Sequence, residues 1–413
     1  MAPLPAILVV LLCALPIMTM TIGGGSGLFY VVLLLCLIRI FTRTGGWRES
    51  RHSLKEYVPI IAALMVPLFA IGLSQYAHGM LHGPSLERGL RISLGFPIIL
   101  AALLSINPAA LRNMYWGMVA AAWASAGIVF WLVFPAWNRP NTPQYNAVGY
   151  GNLMMLWLFF VLCGLGWTLS KQPRLEKYAK LLTAVVVFAG VILTQTRSAW
   201  MAIPLFLFIG MWLFGHLRHP LRAAGLLIAG VAVLVAIGST NQALRTRVAQ
   251  GVHEFQECHG ANATLDTSVC IRLQLWRATT QMLEAEPVFG LGSPSRFVPE
   301  LEARVATGVV SPFVAKEFGE PHNDMLQMLS SYGLLGGLAL ALLYLVPAWF
   351  FLRRLTISNP PSARVAAAMG VALTLGFAIF GLTELMFRSM HNISLYVTLL
   401  ACLLALSHEK RAA

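Results

Sequence analysis

An all-α polytopic membrane protein is the fold class this 413-residue sequence predicts, on three observations. Hydrophobic residues make up 58% of the chain and charged residues only 11%, against roughly 25% charged in soluble domains. The apolar residues gather in repeated runs of about 20, the length of a membrane-crossing helix. Those runs lack the two-residue alternation of an outer-membrane strand, so helices rather than a barrel are expected.

About twelve spans follow in order: 5–22, 27–41, 57–76, 91–106, 113–134, 147–169, 180–195, 198–215, 223–240, 323–352, 365–387 and 392–407. The start, Met1-Ala2-Pro3-Leu4-Pro5, runs into apolar sequence without a basic n-region, so the first run reads as a retained span. The chain divides into 1–240 with helices 1–9, a mostly helical loop domain over 241–322, and 323–413 with helices 10–12. No sequence repeat relates the halves.

The net charge of +13 is a topology signal and calls for no nucleic-acid partner. With a cytoplasmic N-terminus, 17 of the 29 Lys and Arg fall on the inner side, and seven of the other 12 lie in the single segment 241–322. Short loops enriched in Lys and Arg stay inside, whereas long loops translocate largely regardless of charge. Twelve of the 16 acids fall outside. Both termini are then cytoplasmic, and 241–322 lies on the external face.

Cysteine usage agrees. Cys13, Cys36, Cys163 and Cys402 sit in apolar runs as packing residues. Cys258 and Cys270 are the two in the long loop, and an oxidising compartment favours a disulfide between them. The alternative is a Cys–His metal site with His253 and His259, disfavoured because the spacing is not that of a zinc site.

The polar residues worth weighing collect on the external side. "TQTRSAW" separates two apolar runs with Gln195, Thr196 and Arg197. Arg197 either snorkels to the headgroups or aims a cation into a surface cavity. In "RLQLWRATTQMLEAEPVFGLG" an amphipathic helix with Ile271, Leu275, Trp276, Met282 and Leu283 on one side carries Arg272 and Arg277, ending before Pro287. Gly290 and Gly292 then read as a turn, since no strand precedes them as a nucleotide-binding loop requires. A short helix over 294–306 follows, carrying Arg296.

"FGEPHND" opens the tenth span. Asn323 or Asp324 can cap that helix. His322 then sits at its N-terminus, where the positive helix field favours the neutral imidazole able to act as a general base. A capping or interfacial histidine is the plainer reading. Further external candidates are Arg139, His78, His82, and Glu384, Arg388 and His391 in "ELMFRSMHN", while Arg88 and Arg91 read as interfacial.

At these motifs the sequence resembles the O-antigen ligase family, within the O-antigen ligase and polymerase superfamily. The resemblance rests on a polytopic chain of this length, "TQTRSAW", the loop carrying "RLQLWRATTQMLEAEPVFGLG", and "PHNDMLQMLSSYGLLG", in that order over residues 191–337. It implies a broadly C-type membrane glycosyltransferase that moves O-antigen from undecaprenyl pyrophosphate to a sugar hydroxyl of lipid A–core, with membrane lipids around it. It places the reaction on the periplasmic face of a Gram-negative inner membrane, inverting, without metal or other cofactor. The family's key arginines fall on Arg197 and Arg272 and its key histidine on His322. Gln195, Arg139, Arg277, Arg296, Asn323 and Arg388 are the candidates to line the substrate site.

Guanidinium groups suit a pyrophosphate leaving group by bidentate hydrogen bonding and do not deprotonate. Glu317, Glu320 and Asp324 near His322 keep a divalent-ion site open as the weaker alternative. The rivals are an O-antigen polymerase, a protein O-oligosaccharyltransferase of the same superfamily, and a polyprenyl-linked glycan flippase or transporter. A transporter should hold charge near the bilayer midplane, whereas here the charges sit at the span ends.

Overall fold

The computed structural model describes residues 3–43, 46–134, 139–215, 242–258, 260, 263–357 and 361–408, with isolated positions between 225 and 232. The expected ninth span, 223–240, therefore lies outside the described residues as a unit. Among the described residues there are helices and turns and no strand.

Eight helices are long and apolar enough to cross a membrane: Pro3–Thr21, Gly25–Thr42, Lys55–Ala77, Pro108–Val133, Ala147–Gly166, Pro173–Thr194, Asp324–Ile357 and Pro361–Phe380. Two shorter apolar stretches, Arg197–Leu213 and Met390–Leu406, accompany them. The protein is a multi-pass membrane protein. Two of the expected spans take a different form. The run 91–106 is divided between Gly83–Ser93 and Gly95–Leu103, and 198–215 between Arg197–Met201 and Ile203–Leu213. Hydropathy measures only how apolar a run is; it does not register where an apolar backbone bends.

Burial sorts the helices into a centre and a rim. Ala147–Gly166 and Pro361–Phe380 are each 78% buried over their apolar windows, against 28% for Gly25–Thr42. Met390–Leu406 joins the centre, with Ile393, Leu395, Tyr396, Leu400 and Leu404 fully buried. Rim residues such as Val31, Leu34 and Phe41 face outward, as expected where the surroundings are as apolar as the core.

Polar networks tie the helix ends in two groups. At one end Arg354 donates to Glu56, to the Tyr57 hydroxyl and to the Leu404 carbonyl, and Lys180 Nζ meets Glu176 and the Gly164 and Trp167 carbonyls at 2.6–2.7 Å. At the other end the segment 381–388 meets the start of Asp324–Ile357, because Asp324 N–H donates to Gly381 O at 2.8 Å. The start of Ala147–Cys163 comes to the same place, with Asn146 reaching Glu384 at 3.5 Å.

The tenth expected span departs from a continuous helix at one residue. Gly333, at φ 63° and ψ −156°, breaks Asp324–Ile357. The turn after the Ser268–Ala285 helix packs into that break: Leu291 N–H donates to Ser330 O at 2.8 Å, Gly292 N–H to Ser331 O at 2.9 Å, and Leu334 N–H to Pro287 O at 2.8 Å. Backbone groups freed by the break thus find partners in the loop, as buried backbone groups require. Gly290, at φ 58°, is part of the fit, since a Cβ there would lie 2.5 Å from Gly333 N. The GLG stretch is a turn, as read from the sequence.

The 241–322 segment carries helices Gln242–Glu257, Ser268–Ala285, Phe297–Ala303 and Pro312–Glu317. Leu275, Ala278 and Met282 meet Leu291, Phe297, Leu301, Val310 and Val314 in a small core of their own. Cys258 and Cys270 are disulfide-bonded with Cα atoms 5.4 Å apart, so neither serves as a metal-binding thiolate.

Candidate functional site

The corner bearing Arg197 is fixed by its neighbours. Gln195 ends the Pro173–Thr194 helix in the left-handed region, φ 52°. Thr196 Oγ1 then donates to Ala147 O at 2.8 Å, and Ser198 Oγ to Asn152 Oδ1 at 2.7 Å. With the residues on both sides held against the Ala147–Cys163 helix, the exposed Arg197 projects outward.

Arg272 lies one turn into Ser268–Ala285. Burial pushes its guanidinium pKa down, the Arg197 charge beside it adds to that, and Glu384 opposes it. Two neighbouring cations, Arg197 exposed and Arg272 partly buried, next to one carboxylate, form an anion-binding arrangement.

His322, which feels the charge of Arg272, has a positive φ of 49°. Its backbone is held on both sides: Pro321 O accepts the Trp276 indole N–H at 3.0 Å, and Asn323 Oδ1 caps the following helix by accepting Leu326 N–H at 3.1 Å. Burial lowers its pKa from 6.5; Glu384 works against the shift and Arg272 reinforces it. Desolvation therefore favours the neutral, proton-accepting imidazole. Its Nδ1 lies 3.5 Å from Glu320 Oε1, and its ring stands edge-on to Phe318 at 5.9 Å.

Two acids complete the cluster. Glu320, His322 and Glu384 bring side-chain ligand atoms within 4.8 Å of one another. These are the residues that could hold a divalent ion, although Glu320 is also paired with Arg388. Their positions follow from Asp324, whose carboxylate accepts the N–H groups of Met386 at 3.1 Å and Phe387 at 3.2 Å and the Tyr344 hydroxyl at 3.0 Å. Asp324 thus clamps the 381–388 turn, which carries Glu384 and Arg388 to His322. In the sequence Glu384 sat in "ELMFRSMHN" among external polar groups with nothing to tie it to His322.

The remaining candidates separate by what they touch. Arg277 donates to Cys258 O at 3.0 Å and Ala263 O at 3.4 Å, and Arg296 to Leu291 O at 3.4 Å, so these donors hold the loop together. Asn323, besides capping, donates to Leu382 O at 3.1 Å. Gln195 and Arg139 are exposed, the latter ahead of the Ala147–Cys163 helix. His391 turns away to the Ile22 carbonyl at 3.3 Å.

Fold and site together define a multi-pass helical membrane protein whose polar centre, two arginines and a histidine flanked by acids, lies where helix ends meet a helical loop. Residues 182–341 match the family model described as O-antigen ligase, which bears out the resemblance carried by the motifs. Arg197, Arg272 and His322 fall inside the match, Glu384 and Arg388 beyond it. The chain is also similar to an uncharacterized protein of Haemophilus influenzae, 21% identical over 276 residues, which is 65% of this chain and 66% of that protein. The chain thus covers just under two thirds of that relative's length.

Proposed function

We propose that this protein is an O-antigen ligase, transferring O-antigen from undecaprenyl pyrophosphate to a sugar hydroxyl of lipid A–core on the periplasmic face of a Gram-negative inner membrane. The observation that carries the reading is the juxtaposition of Arg272 with both Arg197 and His322. The three come from elements far apart in sequence.

In this reading Arg197 and Arg272 hold the donor's pyrophosphate. The acceptor oxygen attacks the anomeric carbon from the opposite face, the bond from that carbon to the pyrophosphate oxygen breaks, and configuration inverts. The acceptor's proton passes to His322. The negative charge of the departing pyrophosphate builds against two guanidiniums that cannot release protons. Glu384 opposes the loss of proton affinity that burial imposes on His322, so the base keeps enough basicity to work. Neutralisation by guanidinium favours chemistry without a metal ion.

The test is reaction of the purified full chain with a polyprenyl pyrophosphate glycan and lipid A–core, with and without chelator. Ligation that survives the chelator is expected. His322→Ala should retain donor binding and lose about 10²–10⁴ in rate, whereas Arg197→Lys and Arg272→Lys should rescue donor binding poorly, because an ammonium lacks the planar fork. A folded His322→Ala protein with near-normal rate would remove His322 from the chemistry. Extension of a second polyprenyl-linked glycan in place of lipid A–core would make the protein a polymerase.

A further inference from the structure

A cavity of about 210 Å³ lies between the Val58–Ala77, Gly83–Ser93 and Asp324–Ile357 helices. Ile71, Ile92 and Leu340 supply apolar wall, and Arg88 and Arg388 are its two cations. Arg388 feels Arg88 as a like charge, so the two guanidiniums converge on this space just as Arg197 and Arg272 converge on theirs.

Among the described residues Arg88 has no hydrogen-bonded acid, and Glu87 offsets its charge only through space. Its Nε is buried without a hydrogen-bond partner. The acid next to it, Glu87, is taken by the Tyr30 hydroxyl at 2.6 Å and by Arg91 at 2.7 Å. Asp324 also borders the cavity, but its carboxylate is committed to Met386, Phe387 and Tyr344. Arg388 meets Glu320 through one nitrogen and is 58% exposed, leaving donors of its fork for another anion. An apolar chamber with two convergent guanidiniums matches a lipid bearing a phosphate.

We propose that this cavity is an acceptor subsite for a phosphorylated glycolipid, Arg88 and Arg388 gripping a phosphate and the apolar walls receiving the start of an acyl chain. The proposal rests on the transferase reading of the preceding section. The two cation pairs are distinct: Arg272 feels Arg197 and Glu384, whereas Arg388 is paired with Glu320 and borders the cavity together with Arg88. In the proposed attack the acceptor hydroxyl lies between His322 and the donor's anomeric carbon, so the acceptor needs a holding site of its own, apart from the pyrophosphate's. Because Arg197 and Arg272 are assigned to the donor, Arg88 and Arg388 fall to the acceptor.

The experiment measures equilibrium binding to the full chain in phosphatidylcholine nanodiscs, without donor. The probes are lipid A–core, the same lipid after phosphatase treatment, and sugar-free polyprenyl pyrophosphate. Wild type should bind the phosphorylated glycolipid roughly tenfold more tightly than the dephosphorylated one, the worth of one good charged hydrogen-bond pair. R88Q/R388Q should bind the two equally, with polyprenyl pyrophosphate affinity unchanged. Should the double variant fold poorly, R388Q alone, at an exposed position, should lose roughly threefold of the preference. A variant that keeps the wild-type preference overturns the proposal. So does a variant that loses polyprenyl pyrophosphate instead, because the anion would then be the donor's. Wild type that discriminates by phosphate yet ligates nothing leaves the subsite standing and removes the ligase reading.

Discussion

The indole N–H of Trp276 donates to the carbonyl of Pro321 at 3.0 Å. Trp276 is one helical turn from Arg272 and Pro321 is bonded to His322, so a single hydrogen bond ties the helix bearing the cation to the turn bearing the histidine. Trp276→Phe keeps most of the ring and removes the donor. A bond of this kind contributes roughly 0.5–1.5 kcal/mol to the folded state, so the thermal midpoint should fall slightly, and if the same energy positions the two residues kcat should fall about 2–10-fold. Unchanged kcat would mean that the tie does not position the two residues.

Gly333→Ala should destabilise the fold. At φ 63° an L-residue is strained, and a Cβ would lie 2.3 Å from Val288 O. A conformation of that kind costs on the order of 1–3 kcal/mol before the clash is counted. Gly127, inside Met114–Val133 with open space around its Cβ position, is the control: Gly127→Ala should be neutral or slightly stabilising. Thermal unfolding of both variants in detergent decides, and equal midpoints would refute the account of the break.

The acid limb of the rate should follow His322. Its pKa is lowered from 6.5 by burial and by Arg272, so the neutral base persists to lower pH than an ordinary histidine would allow. The rate should rise with pH through a midpoint below 6.5. Glu384 favours the charged imidazole; Glu384→Gln removes that support and should move the midpoint further down. A midpoint that rises in this variant would reverse the assigned sign.

Thiol labelling of denatured, unreduced protein should modify four of the six cysteines, Cys13, Cys36, Cys163 and Cys402, and all six after reduction. The Cys258–Cys270 bond closes a loop spanning 12 positions, worth on the order of 3 kcal/mol in the chain-entropy view. Because Arg277 already holds Cys258 O, Cys258→Ser with Cys270→Ser should lower the stability of the 241–322 segment and leave the transmembrane helices folded. Labelling at either cysteine before reduction would rule the bond out.

Much of the helical architecture was legible in the sequence, because a segment crossing a bilayer must be apolar over a fixed length and satisfy its own backbone. The GLG turn and the amphipathic Ser268–Ala285 helix were legible for a similar reason: turn residues and 3.6-residue spacing are local properties. The same locality explains the misreadings of form. The run 91–106 is as apolar as an unbroken span, and the helix break at Gly333 is set by Gly290 packing against it from more than forty positions away.

The sequence by itself determined the elements and the kinds of side chain available: arginines at helix ends, one histidine before a capped helix, two cysteines in a loop. Only the tertiary structure decided which of them meet. Glu384 joins His322 because Asp324 binds the backbone of Met386 and Phe387, and Arg277 serves the loop because its donors face Cys258 and Ala263. Hydropathy and spacing are properties of neighbours along the chain, whereas a site of paired charges depends on through-space distance, which packing alone sets.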